Sequence, residues 1–290
     1  MDRKAIYGTG LALLLLAGCQ RGPRLVVGAK NFTEQAVLGE IVAQQLERRM
    51  HGRVVRKLDL GGTMLAHEAL KSGQIDVYPE YTGTALTAIL KRPPDRSAAA
   101  VLSSVRAAYQ PWKLRWLRPL GFNNSFAMVV RKEDAEARRV KTLSDAAGYQ
   151  PGWKLGVGYE FVQRPDGLTG LVETYRINFK GSVKQMDLGL LYTALDQGQV
   201  DMVAGNATDG LLASRPFVVL DDDRHYFPPY EAALVVRDEA LAANPGMEAA
   251  LQALSGKIDT QSMRRMNFEV DGKHRDVGDV AAEFLKGLER

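Results

Sequence analysis

Short apolar runs alternate along this chain with longer stretches whose apolar residues recur every three or four positions. Leu25 to Gly28, Val54 to Leu60, Ile75 to Tyr78, Val183 to Met186, Val200 to Gly205, Phe217 to Leu220 and Ala232 to Val236 are of the first kind and read as strands. Val37, Leu38, Ile41, Val42 and Leu46 are of the second kind and predict a helix. Val101 to Tyr109 predicts another, and Val280, Ala281, Phe284, Leu285 and Leu288 give a final amphipathic helix. Strands and helices in alternation predict an α/β fold. Asn31 with Glu34 three residues later, or Thr33 as a rival, offers a cap for the first helix. Pro79 has no N–H for a sheet ladder and is expected to end its strand. Trp112 and Trp116, four apart, read as packing at helical spacing.

One stretch has an echo. Ala69-Leu70-Lys71-Ser72-Gly73-Gln74-Ile75-Asp76 returns as Ala194-Leu195-Asp196-Gln197-Gly198-Gln199-Val200-Asp201. Earlier in each half, Arg24-Leu25-Val26-Val27-Gly28 is matched by Lys154-Leu155-Gly156-Val157-Gly158. Two paired signatures in the same order predict two lobes of similar design. The chain is expected to cross between them near Gly121–Val130 and to return near Phe227–Val236. Residues 24–126 with 231–290 then form one lobe, and residues 127–230 the other. Two crossings at the waist of a cleft permit hinge closure around a ligand.

Composition changes this picture little. The 290 residues are 46% hydrophobic and 25% charged, with a formal net charge of +4, as in an ordinary globular chain. The run from Arg131 to Arg139 mixes both signs and reads as a solvated helix face, so no nucleic-acid partner is expected. The N-terminus changes more. Arg3 and Lys4 precede an apolar run, Leu11 to Ala17, too short to span a bilayer. The run ends in Leu16-Ala17-Gly18-Cys19, which resembles a bacterial lipoprotein cleavage site. On that resemblance residues 1–18 are a signal peptide, Cys19 carries lipid, and 19–23 are a tether. The protein is then anchored to a membrane on its periplasmic or cell-surface side. Cys19 is the sole cysteine, so no internal disulfide can form.

Candidate chemistry lies on the loops assigned to the cleft. Tyr81, Phe126 and Tyr230 are aromatic; Lys30 and Arg164 are cations. Ring faces attract a cation that has no N–H to donate, and lysine and arginine attract a carboxylate. A small zwitterion would satisfy both sets. The plainer reading stays open: Tyr81 and Tyr230 lie near Pro79 and Pro229 and can stack on them, and Lys30 can be a surface lysine. No phosphate-binding glycine loop, HExxH or GxSxG is present. Asp221 to Asp223 lack the spacing of a calcium loop. Glu160 with Asp166 could form a carboxylate pair, but Arg164 nearby would keep both ionised and blunt a general acid. Neither an enzyme nor a cofactor is expected.

At this point the motifs resemble a known family. Gly28-Ala29-Lys30-Asn31-Phe32-Thr33-Glu34-Gln35, Gly61-Gly62-Thr63, Asp76 to Thr84, Gly121-Phe122-Asn123-Asn124, Thr208-Asp209-Gly210 and Phe227-Pro228-Pro229-Tyr230 occur in order over most of the chain. They look like those of substrate-binding proteins of ABC importers for glycine betaine, choline, carnitine and related osmoprotectants. The resemblance implies a type II periplasmic-binding fold, a monomer that delivers a quaternary ammonium or betaine to permease subunits. It also implies a box of four tyrosines around the ammonium. Tyr81 and Tyr230 match two positions, Phe126 stands at a third without a hydroxyl, and Asn206 at the fourth without a ring. Lys30, Thr84 and Arg164 match the carboxylate side, and Glu160 and Asn124 lie where polar supporting groups are expected. The Asn206 loop also brings Thr208 and Asp209 as ligand-contact candidates. Two alternatives remain: a sensing or structural lipoprotein that keeps the fold, and a binding protein for an amino acid or choline-like solute.

Overall fold

The computed structural model describes residues 24–289. Cys19, the apolar run before it and the tether lie outside the described residues. In chain order the strands are β1 (Leu25–Gly28), β2 (Val54–Lys57), β3 (Val77–Tyr81), β4 (Leu114–Trp116), β5 (Phe126–Arg131), β6 (Leu155–Val157), β7 (Lys184–Gln185), β8 (Met202–Asn206), β9 (Phe217–Val219) and β10 (Ala232–Arg237). They form two sheets, ordered β2-β1-β3-β10-β4 and β7-β6-β8-β5-β9. The second repeats the first position by position. In each, three strands run parallel, and a strand that comes from the other half of the chain joins antiparallel. The α/β, two-lobed architecture read from the sequence echo is thus the architecture observed.

Local sequence accounts for most elements. Val27, Val77 and Val236 are fully buried across the first sheet, and Val129, Val157 and Val203 across the second. Helix α1 (Thr33–Met50) buries Val37, Leu38, Ile41, Val42 and Leu46 on one side. That side packs against the C-terminal helices Thr260–Asp271 and Val277–Gly287. The Thr260–Asp271 helix also touches the second lobe: Gly210 lies against its backbone at Phe268.

Three expectations change. Asn31 and Thr33 do not cap α1; the residue before the helix is Phe32, and no side chain caps it. Trp116 lies on β4 rather than a helix, with Tyr109 packed edge-on against it. Pro79 does not end β3 but sits inside it, opposite Leu234. The reason is geometric. Leu234 turns its carbonyl away from β3 to accept from the Leu117 N–H. A residue opposite such a position donates nothing to that neighbour, so proline costs the β3–β10 ladder no bond.

Directly after Tyr81 the chain winds into a helix, and from Ala85 to Ile89 it widens to bonding five residues apart. Gly83 lies where this helix meets Tyr230. A Cβ there would come within 2.6 Å of the Pro229 carbonyl oxygen and 2.8 Å of the Tyr230 ring. Gly83→Ala is therefore expected to destabilise the protein by about 1–3 kcal/mol, the usual cost of overpacking a close contact. Denaturant unfolding measures it, and an unchanged midpoint would refute the close approach.

Candidate functional site

Lys30 leaves the end of β1 and turns inward, 3% exposed. Its Nζ lies 2.5 Å from Glu80 Oε1, 3.2 Å from Thr63 Oγ1 and 5.1 Å from the centroid of the Tyr81 ring. Glu80, fully buried on β3, also accepts from the Tyr78 hydroxyl and the Tyr81 N–H. The surface-lysine reading of Lys30 is thereby excluded. So is an open cation waiting for a ligand: Lys30 is already half of a buried ion pair.

Glu34, read from sequence as a capping partner, is the centre of a second cluster. Its Oε1 accepts from the Tyr81 hydroxyl at 2.6 Å and from Asn124 Nδ2 at 2.8 Å. Its Oε2 accepts from the Thr208 hydroxyl and from Asn267 Nδ2 at 3.2 Å. Burial pushes the Glu34 pKa upward, and the donors from Thr208, Tyr81 and Asn267 oppose that shift. The four donors come from the first lobe, the crossing, the second lobe and a C-terminal helix. One carboxylate thus ties together segments 233 residues apart.

Arg164 anchors the third cluster. Nε and Nη2 donate to the two oxygens of Asp166 at 2.9 and 2.6 Å, and Nη1 reaches Thr84 Oγ1 at 3.1 Å. Asp166 also accepts from Thr87 Oγ1 at 2.8 Å and from the Tyr230 hydroxyl at 2.5 Å. Burial works to raise the Asp166 pKa, but the Arg164 guanidinium and these hydroxyls hold it below its ordinary value. The guanidinium lies 5.0 Å from the Phe126 ring centroid and 5.6 Å from that of Tyr230. Those two rings meet edge-on with centroids 5.7 Å apart.

The remaining candidates are placed differently. Glu160 is exposed and accepts from the Thr63 N–H at 2.7 Å and the Thr63 hydroxyl at 3.1 Å, which makes it a latch between lobes. Asn206 pairs in register with Phe126, so the two side chains share a face of the sheet. Its N–H and amide donate to Asp209, which also accepts from Tyr192. Asp209 therefore fixes its own loop. In all, the structure gathers Lys30, Tyr81, Asn124 and Thr208 around two carboxylates and Thr84, Phe126, Arg164 and Tyr230 around a third. Sequence reasoning missed Glu34, Glu80, Thr63, Thr87 and Asn267 as members of the site. Glu34, Glu80 and Thr63 were within the quoted motifs; nothing local marks Thr87 or Asn267. Among the described residues no group of three or more His, Cys, Asp or Glu is placed to hold a metal ion.

The chain is similar to known proteins. The family model described as the substrate binding domain of ABC-type glycine betaine transport system matches residues 23–287. A glycine-betaine-binding protein of Pseudomonas aeruginosa is 36% identical over 283 residues, covering 94% of this chain and 90% of its own length. An ergothioneine transport permease/ergothioneine binding protein of Helicobacter pylori is 34% identical over 266 residues, 91% of this chain; the match spans only 47% of that longer protein. A crystal structure of a glycine betaine/carnitine/choline ABC transporter aligns with a TM-score of 0.76 at 31% identity, covering 91% of this chain and 98% of the other.

The Arg164–Asp166 geometry sets an expectation. Asp166→Asn leaves a buried guanidinium without its counter-charge, and should cost about 3–5 kcal/mol of stability at pH 7. Because the folded-state pKa of Asp166 is depressed, its contribution is present above the unfolded value. It is lost only as pH falls through the folded one, below the ordinary 3.8. Denaturant unfolding of both proteins should therefore show a gap that is constant from pH 7 to 5 and narrows only below pH 3.8. A gap already closing near pH 6 would refute the assignment.

Proposed function

The chain belongs to the family of substrate-binding domains of ABC-type glycine betaine transport systems, and from that membership we propose that it captures a small quaternary-ammonium or zwitterionic osmoprotectant outside the cytoplasm and delivers it to an ABC permease. The observation that carries this reading is convergence. Lys30 lies over the Tyr81 ring, Arg164 lies over the Phe126 and Tyr230 rings, and Glu34 takes donors from Tyr81, Asn124 and Thr208, on segments of both sheets and the crossing between them. In the proposed site the three rings receive the ammonium, and Asn206 leaves one side without a ring. Lys30, Arg164 and Thr84 form the polar side. Asn124 and Thr208 are held in place through Glu34, Asp209 holds the Asn206 loop, and Glu160 closes on Thr63. Residues 24–126 with 231–290 move as one lobe and 127–230 as the other. The protein acts as a monomer, tethered by lipid on Cys19.

This proposal includes a weakness in binding. Arg164 and Lys30 already lie against the ring faces, so an ammonium must displace them. The missing fourth ring removes a further contact of about 0.5–2 kcal/mol. Asn206→Tyr is expected to tighten binding by about 2- to 30-fold. Tyr81→Ala and Tyr230→Ala are expected to weaken it. A thermal-shift screen of glycine betaine, choline, carnitine, ergothioneine and amino acids, followed by calorimetry on the best solute, tests the reading. Submicromolar glycine betaine binding would sink the weak-binding claim, and unchanged affinity in Asn206→Tyr would mean that residue 206 does not face the solute.

A further inference from the structure

Arginines gather at the end of the first lobe where β1 begins. Arg24 directly precedes β1 and Arg53 directly precedes β2, and the two strands run parallel from the matched pair Leu25 and Val54. Helix α1 ends at Met50, and only residues 51–53 join it to β2, so Arg48 and Arg49 in its last turn lie at the same end. The Val277–Gly287 helix finishes there too: Glu289, just past it, lies 3.5 Å from Arg48. All four arginines are exposed, as are Lys286 and Leu288. The candidate site is elsewhere, since Lys30 follows the opposite end of β1.

Ordinary causes account for part of this set. Arg48 and Arg49 complement the C-terminal dipole of α1. Arg24 and Arg53 lie off the helix and do not. The nearby carboxylates are taken: Glu47 accepts from Arg56 through both oxygens, at 2.7 and 2.8 Å, and Glu289 meets Arg48. Among the described residues Arg24, Arg49 and Arg53 form no salt bridge. Their charge projects a positive potential that reaches about 8 Å into solvent at physiological salt. The covalent chain says what lies within that reach. Residues 20–23 alone separate Cys19 from Arg24, at most about 18 Å at full stretch, and Arg21 among them adds a cation. With lipid on Cys19, this end of the lobe is held beside bilayer headgroups. Leu288, 40% exposed, puts an apolar side chain among the basic ones. Basic groups around an apolar one suit an anionic lipid surface.

We propose that this pole, formed by Arg24, Arg48, Arg49 and Arg53 with Leu288, docks on anionic lipid headgroups and holds the protein in one orientation on its membrane. The lipid proposed above on Cys19 is what brings the pole to a bilayer; the test omits that lipid, so the two can fail separately. The purified protein, prepared without lipid on Cys19, is cosedimented with vesicles of phosphatidylglycerol and phosphatidylcholine in equal parts, and with vesicles of phosphatidylcholine alone. The anionic vesicles should bind it at least about tenfold more tightly, and high salt should abolish the difference. Replacing Arg24, Arg49 and Arg53 together by Gln should lower binding to anionic vesicles by about tenfold or more. Solute affinity by calorimetry should stay within about twofold, because these residues are remote from the site. Equal binding to both vesicles, or no binding to either, overturns the docking surface and leaves solute capture and the lipid anchor standing. An unchanged triple variant overturns it too, since another face would then carry the contact. So does a short RNA bound as tightly as the anionic vesicles, which would make the pole a general polyanion site. If the triple variant does not fold, the exposed single change Arg49→Glu decides: it should weaken anionic-vesicle binding by about fivefold or more, and no change overturns the assignment.

Discussion

Arg164 and Asp166, two residues apart, face each other as a bidentate ion pair, and the candidate site depends on that bond. A buried guanidinium is tolerable only with its charge met and its donors used. Asp166 does the first and two of the donors, and Thr84 takes a third. Thr87 and Tyr230 then fix Asp166 itself. Lobe-two residues are in this way bonded to the strand end of lobe one. The same solution appears at Lys30 and Glu80. Glu34 is handled by another route, with neutral donors in place of a cation.

The repeated sheet explains why these groups meet at all. In each lobe the parallel strands end on the same side, and the ends of β3 and β8 with the segments after them carry Tyr81 to Thr84 and Asn206 to Asp209. Ligands of open α/β sheets bind beyond such strand ends. Strands exchanged between the halves, β5 and β10, bring Phe126 and the segment around Tyr230 to that same edge.

What was legible in the sequence was whatever a local period or a repeat could encode. The strand at Val27, the helix face at Ile41 and the echo at Asp76 and Asp201 all project directly onto spacing. Lys30, Tyr230 and Arg164 were found because they lie on loops that such spacing locates, and Tyr81 because it ends the strand that spacing locates. Partnership was not legible. Lys30 meets Glu80 from 50 residues away, and Glu34 meets Asn267 from 233. Sequence marks each as charged or polar without saying which charge is already answered. Pro79 failed for a related reason: whether its missing N–H matters depends on where Leu234, far along the chain, aims its carbonyl.

The Thr260–Asp271 helix has a bearing on biogenesis. It supplies Asn267 to Glu34, and Arg264 to the Ala207 carbonyl, while Asp271 receives the Thr33 hydroxyl at the start of α1. Earlier segments can build both sheets, yet the Glu34 cluster is unfinished until this late segment docks. Such non-local closure slows folding and exposes half-made surfaces meanwhile. A nascent chain emerging from its N-terminus therefore has most of its scaffold before Glu34 has all of its partners.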